Sequence, residues 1–415
     1  MKFWPGKAAF RRRRVLILPV LLAACVAAGA QPPSITLPQY INTNFENASP
    51  LNWEIDSAGN IVISLVYDHE RSSVNRSDGH WLFQVQARRG QDFSLILQNF
   101  DNIWNGRLAE AITEHTPCAV SADGLKWRTI PAKKIAGNRL QVRLHMDGDS
   151  MYVSEFEPYR LSDLQNLITS ISKNPGVAIT TIGATAEGRP LEIIRVGSPA
   201  ARNSVFIRAR AHGYEAGGNW VVQGLITRLL RQDDTAAKYL QRYCLYILPM
   251  ANKDAVARGK ARFNSMGMDL NRHWDVPADK YLAPENYAVE RWMDSMVAAG
   301  KTPRLMIDLH NDAEGHLHLA SAGVTPTYLA HMKMMDSLLR ANTWYTEGIV
   351  GGMSTAAYKA SSIADAMLQR YGIDAFIYEL DWEYAEGLRR PPAAPDWIGL
   401  GEKLSKVLYK YFDDK

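Results

Sequence analysis

The sequence predicts two fold classes in series: an all-β antiparallel sandwich, then an α/β domain whose mixed, mainly parallel sheet carries helices on both faces. Between about residues 46 and 157, apolar and polar residues alternate at period two in short runs separated by Gly, Asn, Asp and Ser clusters. From about 158 to 415, near-continuous apolar runs alternate with helical patterns, as in a sheet buried on both faces. The chain has 415 residues, 47% hydrophobic and 22% charged, which supplies apolar surface for two cores.

Residues 1–30 read as a secretory leader. MKFWPGKAAFRRRR is a basic head, Val15 to Ala24 is a short apolar run interrupted by Pro19, and small residues follow. That run is too short to cross a bilayer as a helix. Two processing sites compete. Leu22-Ala-Ala-Cys25 resembles the lipobox of bacterial lipoproteins, and Ala28-Gly-Ala30 suits ordinary signal cleavage. Either predicts export, to the periplasm or to the outer membrane as a lipoprotein; the membrane enters only through a lipid anchor at Cys25. Losing the leader's six cations takes the net charge from +4 to −2, and no Lys- or Arg-rich stripe remains, which argues against a nucleic-acid partner. Beyond the leader only Cys118 and Cys244 remain, read as two buried thiols with a disulfide as the alternative.

Residues 31–45 (QPPSITLPQYINTNF) are proline-rich and read as a tether. Within 46–157 the strand candidates are NIVISLVYD, HWLFQVQAR, DFSLILQNF, LQVRLHM and MYVSEFE, with an Asp-Gly hairpin signal in SADGLKW. The character changes at Pro158, where SDLQNLITSISKN opens with a Ser-x-x-Gln capping pattern ahead of helical Leu and Ile spacing. The second domain, 158–415, then alternates the strands SVFIRARA, YCLYILPMAN, PRLMIDLHN and DAFIYELDW with the helices GNWVVQGLITRLLRQ, NYAVERWMDSMVAAG, PTYLAHMKMMDSLLRAN and IADAMLQRYG. Trp53, Trp81, Trp104 and Trp127 of the first domain read as core and interface packing, walling one side of a cleft.

In open α/β sheets, ligand sites gather beyond the carboxyl ends of strands. VFIRARAHGYEAGG places His212 and Glu215 just past one strand, and LMIDLH places His310 at the end of another. Three ligands, two close in sequence and one distant, are what a zinc site with an open position for water needs. Between them, R-x-N-x-x-G-x-D-L-N-R brings Arg262, Asn264, Asp269, Asn271 and Arg272 into one stretch after a strand. Such a cluster is ordinary turn chemistry, and equally a clamp for a carboxylate, which the arginine fork matches bidentately.

At this point the sequence resembles the zinc metallocarboxypeptidase family. The resemblance rests on H-x-x-E at 212–215, P-x-x-N-x-D from Pro249 to Asp254 and G-M-D-L-N-R at 267–272. It continues through Pro284-Glu285, the strand ending in His310 and Glu379 within FIYELDW, in matching order from about 160 to 412. The preceding sandwich, the EPYRLSDL junction and the I-R-A-R-x-H approach resemble the cytosolic-carboxypeptidase-like branch, which has an N-terminal β-domain. The resemblance implies one Zn²⁺ per chain held by His212, Glu215 and His310, with Asp269 orienting His212. It implies Arg272 with Asn271 binding the substrate's terminal carboxylate, Arg262 stabilising the oxyanion and Glu379 as general base. Tyr358, in Tyr-Lys-Ala-Ser, matches a mobile tyrosine of the digestive relatives, with an ordinary loop tyrosine as the alternative. After His310 the chain departs from the family, reading HNDAEGHLH. Asn311, Asp312, Glu314, His316 and His318 are read there as a solvated rim, with substrate access and a second weak metal as alternatives, and His273 as structural.

The expected function is therefore zinc-dependent removal of a C-terminal residue, through a peptide or isopeptide bond, from peptides with a free carboxylate. The alternatives are an envelope amidase acting on peptidoglycan stem peptides or N-acyl amino acids, and an inactive binding relative. A serine hydrolase is disfavoured, since no Gly-x-Ser-x-Gly elbow occurs. An acidic specificity would need a cation in the pocket, for which Arg304, Lys359 and Arg370 are the nearest in sequence.

Overall fold

A computed structural model of the protein describes residues 37–413, apart from 69, 72, 74, 105, 347–352 and 355–360. Cys25 and Tyr358 lie outside the described residues, as does Lys359. No helix among the described residues is long and apolar enough to cross a membrane.

The first domain packs two five-stranded sheets face to face. One runs Tyr40–Asn42, Leu82–Gln86, Ser150–Ser154, Cys118–Ser121, Arg128–Ile130. The other runs Ala132–Ile135, Arg139–His145, Asp92–Gln98, Ile61–Leu65, Leu51–Ile55. Period-two alternation sends Phe93, Leu95 and Leu97 inward to meet Leu140, Val142 and Leu144, with Phe83, Val85, Met151 and Val153 closing the core from the facing sheet. One pair departs from the antiparallel expectation: Ile61–Leu65 and Asp92–Gln98 are parallel. Between them the chain crosses to the other sheet through Leu82–Gln86, so it returns in the same direction.

Two local expectations are corrected. The tether reading of 31–45 overlooked a strand: Tyr40–Asn42 pairs with Leu82–Gln86 and buries Ile41 in the core. The helix after the junction is Leu161–Ile171, capped one residue before it by the Asp163 carboxylate, which accepts the Arg160 N–H at 2.8 Å. Ser162 instead lies in the first turn and donates its N–H to Glu46. Cys118 and Cys244 are buried and not bonded to each other.

The second domain is built on one mixed sheet in the order Val177–Ala184, Pro190–Val196, Tyr243–Leu248, Asn203–Ala209, Leu305–Asp312, Asp374–Asp381, Leu317–Leu319, Met353–Ser354. The four strands from Tyr243–Leu248 to Asp374–Asp381 are parallel and apolar almost throughout. Register sets the site: His310 lies directly opposite Glu379, and in a parallel pair such neighbours share a face. The helices Gly217–Leu229 and Ala394–Tyr411 press backbone to backbone. A Cβ on Gly224 would come within 2.1 Å of the Ile398 carbonyl oxygen, so only glycine fits.

The two domains meet at Asp68 of the sandwich. Its buried carboxylate accepts the backbone N–H groups of Ala261, Arg262 and Phe263 at 3.0, 2.6 and 3.2 Å. Burial pushes this carboxyl up, and the three N–H groups pull against it. Asp68→Ala leaves three buried donors unpaired, each costing about 1–3 kcal/mol. A lower urea midpoint at unchanged slope is expected, with Asp68→Asn intermediate.

Candidate active site

The metal cluster begins at a strained turn. Asn203–Ala209 ends at Arg210, which sits in the left-handed region at φ 61°. Its buried guanidinium donates to the Gly213 carbonyl at 2.8 Å and to Asn219 at 3.1 Å, fixing the loop that carries His212 and Glu215. Burial lowers that guanidinium to about 9. A Cβ on Gly213 would sit 2.5 Å from the Lys260 carbonyl oxygen, so the position next to His212 must also be glycine.

His212, Glu215 and His310 are buried, and their donor atoms lie within 4.8 Å of one another. The two Nδ1 atoms are 3.2 Å apart, with Glu215 Oε1 2.7 Å from His212 and Oε2 2.9 Å from His310. Behind them, His212 Nε2 is 3.1 Å from Asp269 Oδ1, and His310 Nε2 is 2.7 Å from Asp308 Oδ2. Each imidazole thus has an outer carboxylate that takes its Nε2–H and turns Nδ1 inward as a lone pair. Two lone pairs and a carboxylate facing one another repel unless a cation lies between them. The donor set therefore fits zinc, with three N and O ligands and room for a fourth.

Without a bound cation the same cluster balances its charge with protons. Burial alone would raise Glu215, but His212 and His310 override it and hold the carboxyl at about 2. Asp269 is likewise held well below its ordinary range despite burial, by Arg262 first and His212 next. Burial opposes the charge on His310, and Asp308 and Glu215 overcome it, so its imidazole is pushed well up.

Arg262 is buried beside Trp104, its guanidinium 5.0 Å from the ring centre. Nε donates to Asp269 Oδ2 at 2.9 Å, so Asp269 binds Arg262 and His212 together. The Asp269 Oδ1 also accepts the Asn271 N–H at 2.9 Å, tightening the turn that presents Asn271 and Arg272. Asn264 braces the loop from outside by donating to Glu285 at 2.9 Å, which gives the Pro284-Glu285 pair its structural place. His273, next to the clamp, is exposed at φ 63° and makes no part of the site.

One cavity of about 380 Å³ is lined by His212, Glu215, Arg262, Asn271, Arg272 and Glu379, with Trp104 on the sandwich side. Of the four tryptophans, Trp104 alone lines it; Trp81 is core. Glu379 Oε2 is buried without a hydrogen-bond partner. Burial and then Asp312 push this carboxyl well up. A divalent cation at the cluster acts against that shift.

The rim is less solvated than the sequence implied. Asn311 is buried, accepting the Gly217 N–H at 2.9 Å and donating to the Leu380 carbonyl at 2.8 Å. Asp312 and His318 line the cavity, and with Glu379 they form a second His/carboxylate group. Arg304 donates to Asn203 and Arg370 to Glu290, and neither lines the cavity.

Arg208 and Asp308 were not singled out by the sequence reading. Arg208 holds Asp308 with two bonds, 2.7 and 2.5 Å, and donates to the Leu270 carbonyl and Asn271 Oδ1 at 3.1 and 3.3 Å. A single arginine thus links the carboxylate behind His310 to the turn at Leu270 and Asn271. The available signal was a charged residue inside each of two strands that are otherwise apolar, FIRA and MIDL.

Residues 164–386 match the family model described as zinc carboxypeptidase, which covers more than half of the chain. The chain belongs to the zinc carboxypeptidase family. Residues 41–156 match the cytosolic carboxypeptidase N-terminal domain, so this member of the family carries the β-domain of that branch. An uncharacterised protein of Zymomonas mobilis is 29% identical over 59% of this chain and 62% of its own length. Human cytosolic carboxypeptidase 6 is 27% identical over 47% of this chain and 42% of its own. The chain thus spans less than two thirds of these relatives. In fold it is similar to a metallocarboxypeptidase from Burkholderia cenocepacia, with TM-score 0.77 and 21% identity over 90% of this chain and 99% of that one. A Pseudomonas aeruginosa metallocarboxypeptidase in complex with (2-guanidinoethylmercapto)succinic acid gives TM-score 0.75 and 22% identity over the same shares.

Proposed function

We propose that this chain is a zinc-dependent metallocarboxypeptidase, hydrolysing the last peptide or isopeptide bond of substrates with a free terminal carboxylate. The observation that carries the reading is the unpartnered Glu379 oxygen, placed in the same cavity as the metal cluster and both arginines. Zinc, when bound, lowers the pKa of a coordinated water and polarises a carbonyl. Glu379 accepts the proton of the attacking water and passes it to the leaving amine. Arg262, held by Asp269, faces the oxygen on which negative charge develops. Arg272, presented beside Asn271, takes the substrate's carboxylate and so restricts cleavage to the last residue. The ligand in the Pseudomonas neighbour, (2-guanidinoethylmercapto)succinic acid, carries carboxyl groups, in keeping with this reading.

The test is incubation with peptides differing in C-terminal residue and linkage, with products followed by mass spectrometry. Single-residue loss that chelator abolishes and added zinc restores is the expected result. Arg272→Met is expected to lower kcat/KM about a hundredfold, mostly through KM. Internal cleavage would remove the role given to Arg272. Failure of the zinc-loaded chain to cut any peptide would sink the reading.

A further inference from the structure

We infer that Glu155, at the junction between sandwich and peptidase domain, is a subsite for a cationic nitrogen on the substrate. The inference rests on the reading above and extends it to the part of the peptide upstream of the scissile bond. Glu155 is 4% exposed and lines the catalytic cavity, yet neither of its carboxyl oxygens has a hydrogen-bond partner among the described residues. A buried carboxyl without partners is costly to maintain unless something occupies it during function.

Its surroundings select for a cation. Glu383, on the loop after the strand carrying Glu379, is a second buried acid near it. Glu383 is already satisfied by the Thr113 and Thr116 hydroxyls, the latter at 2.6 Å, so Glu155 is the acid with oxygens to offer. Tyr214 and Trp382, ring centres 5.1 Å apart, line the cavity as well, and Phe156 stacks on Trp382 at 5.8 Å. A carboxyl sharing a cavity wall with aromatic side chains is a setting that binds ammonium or guanidinium. The only Lys or Arg among the described lining residues are Arg262 and Arg272, both on the clamp loop and its approach. Burial and Glu383 push the Glu155 carboxyl well up, and the charge of an arriving cation returns it to the ionised form. Tyr214, Cys118 and Glu383 are the titratable groups that face it.

Direction follows from the clamp. A peptide held by its carboxylate at Arg272 places its last residue there, and what reaches Glu155 is assigned to the part N-terminal to the cut bond. The nitrogen has two sources: a basic side chain near the cut, or the free amino end of a short peptide.

The experiment uses the zinc-loaded full chain and two peptide pairs. One pair is N-acetylated and differs by Lys against Met before the scissile bond; the other is a tripeptide with free or acetylated amino end. The cationic member of at least one pair is expected to win by about tenfold in kcat/KM, the worth of one charged hydrogen bond. The winning pair identifies the source. In Glu155→Gln and in Glu155→Ala that ratio is expected to fall to about one. Because the ratio is internal to each variant, a partly unfolded preparation does not disturb it. A preference that survives both variants, or its absence from the wild type, overturns the inference. Calorimetric binding of the same uncleaved peptides to zinc-loaded Glu379→Gln, with and without Glu155→Gln, separates this from the reaction. Cation-selective binding through Glu155 without turnover by the wild type upholds the subsite and discards the peptidase reading.

Discussion

Zinc-loaded Glu379→Gln is expected to retain its metal and its KM while kcat falls about a thousandfold, within the range of a positioned general base. Glutamine preserves the volume in a site where the oxygen is buried, so the fold has little to readjust. Glu379 is not one of the three donors in the primary cluster, which is why metal content should not change. What is lost is the acceptor for the water's proton. Glu379→Asp keeps the chemistry and shortens the reach, so it is expected to fall between, because misplacement of about 1 Å already costs about a hundredfold. Turnover of the glutamine variant within tenfold of wild type would exclude Glu379 as the base.

How much of this site was legible in the sequence depended on the span over which its parts were specified. His212 and Glu215 stood out because glycines and a histidine broke an apolar strand at its carboxyl end, where parallel sheets place ligands. His310 and Glu379 ended two further apolar runs, and the sheet pairs them directly. The positions of His212, Glu215 and His310 follow from local pattern and one topological rule, whereas Glu379 was reached through the resemblance. Asp269 was reached through the resemblance; in the structure it contacts His212 and Arg262. Arg208 and Asp308 were not reached, because each reads as an intrusion until the strands Asn203–Ala209 and Leu305–Asp312 are laid side by side. Glu155 was missed for a similar reason. Its meaning depends on Glu383 and Tyr214, brought to it only by the apposition of two domains. The Ser162 cap failed on a subtler competition: Asp163, one residue on, reaches back to the N–H of Arg160, so the helix starts ahead of Ser162.

Arg208→Met is expected to cost about 3–5 kcal/mol of folding stability, the cost of breaking a buried ion pair. Both members of the pair are fully buried, and Asp308 keeps its charge in spite of burial chiefly because Arg208 is beside it. Removing the guanidinium strands that carboxylate in a low dielectric and unties Leu270 and Asn271 from the strand. The same carboxylate orients His310, so zinc affinity should fall by about 10–100-fold as well. A double variant, Arg208→Met with Asp308→Leu, separates the two effects. With both charges gone the desolvation penalty goes too, and stability is expected to recover most of its loss. Zinc affinity should not recover, because His310 Nε2 still lacks its acceptor. Urea denaturation of the metal-free chain reads the first quantity, and competition with a chelator of known affinity reads the second. If the double variant regained both together, the pair would be acting through packing alone. If Arg208→Met lost less than about 1 kcal/mol, the carboxylate must find another partner or a proton in its place.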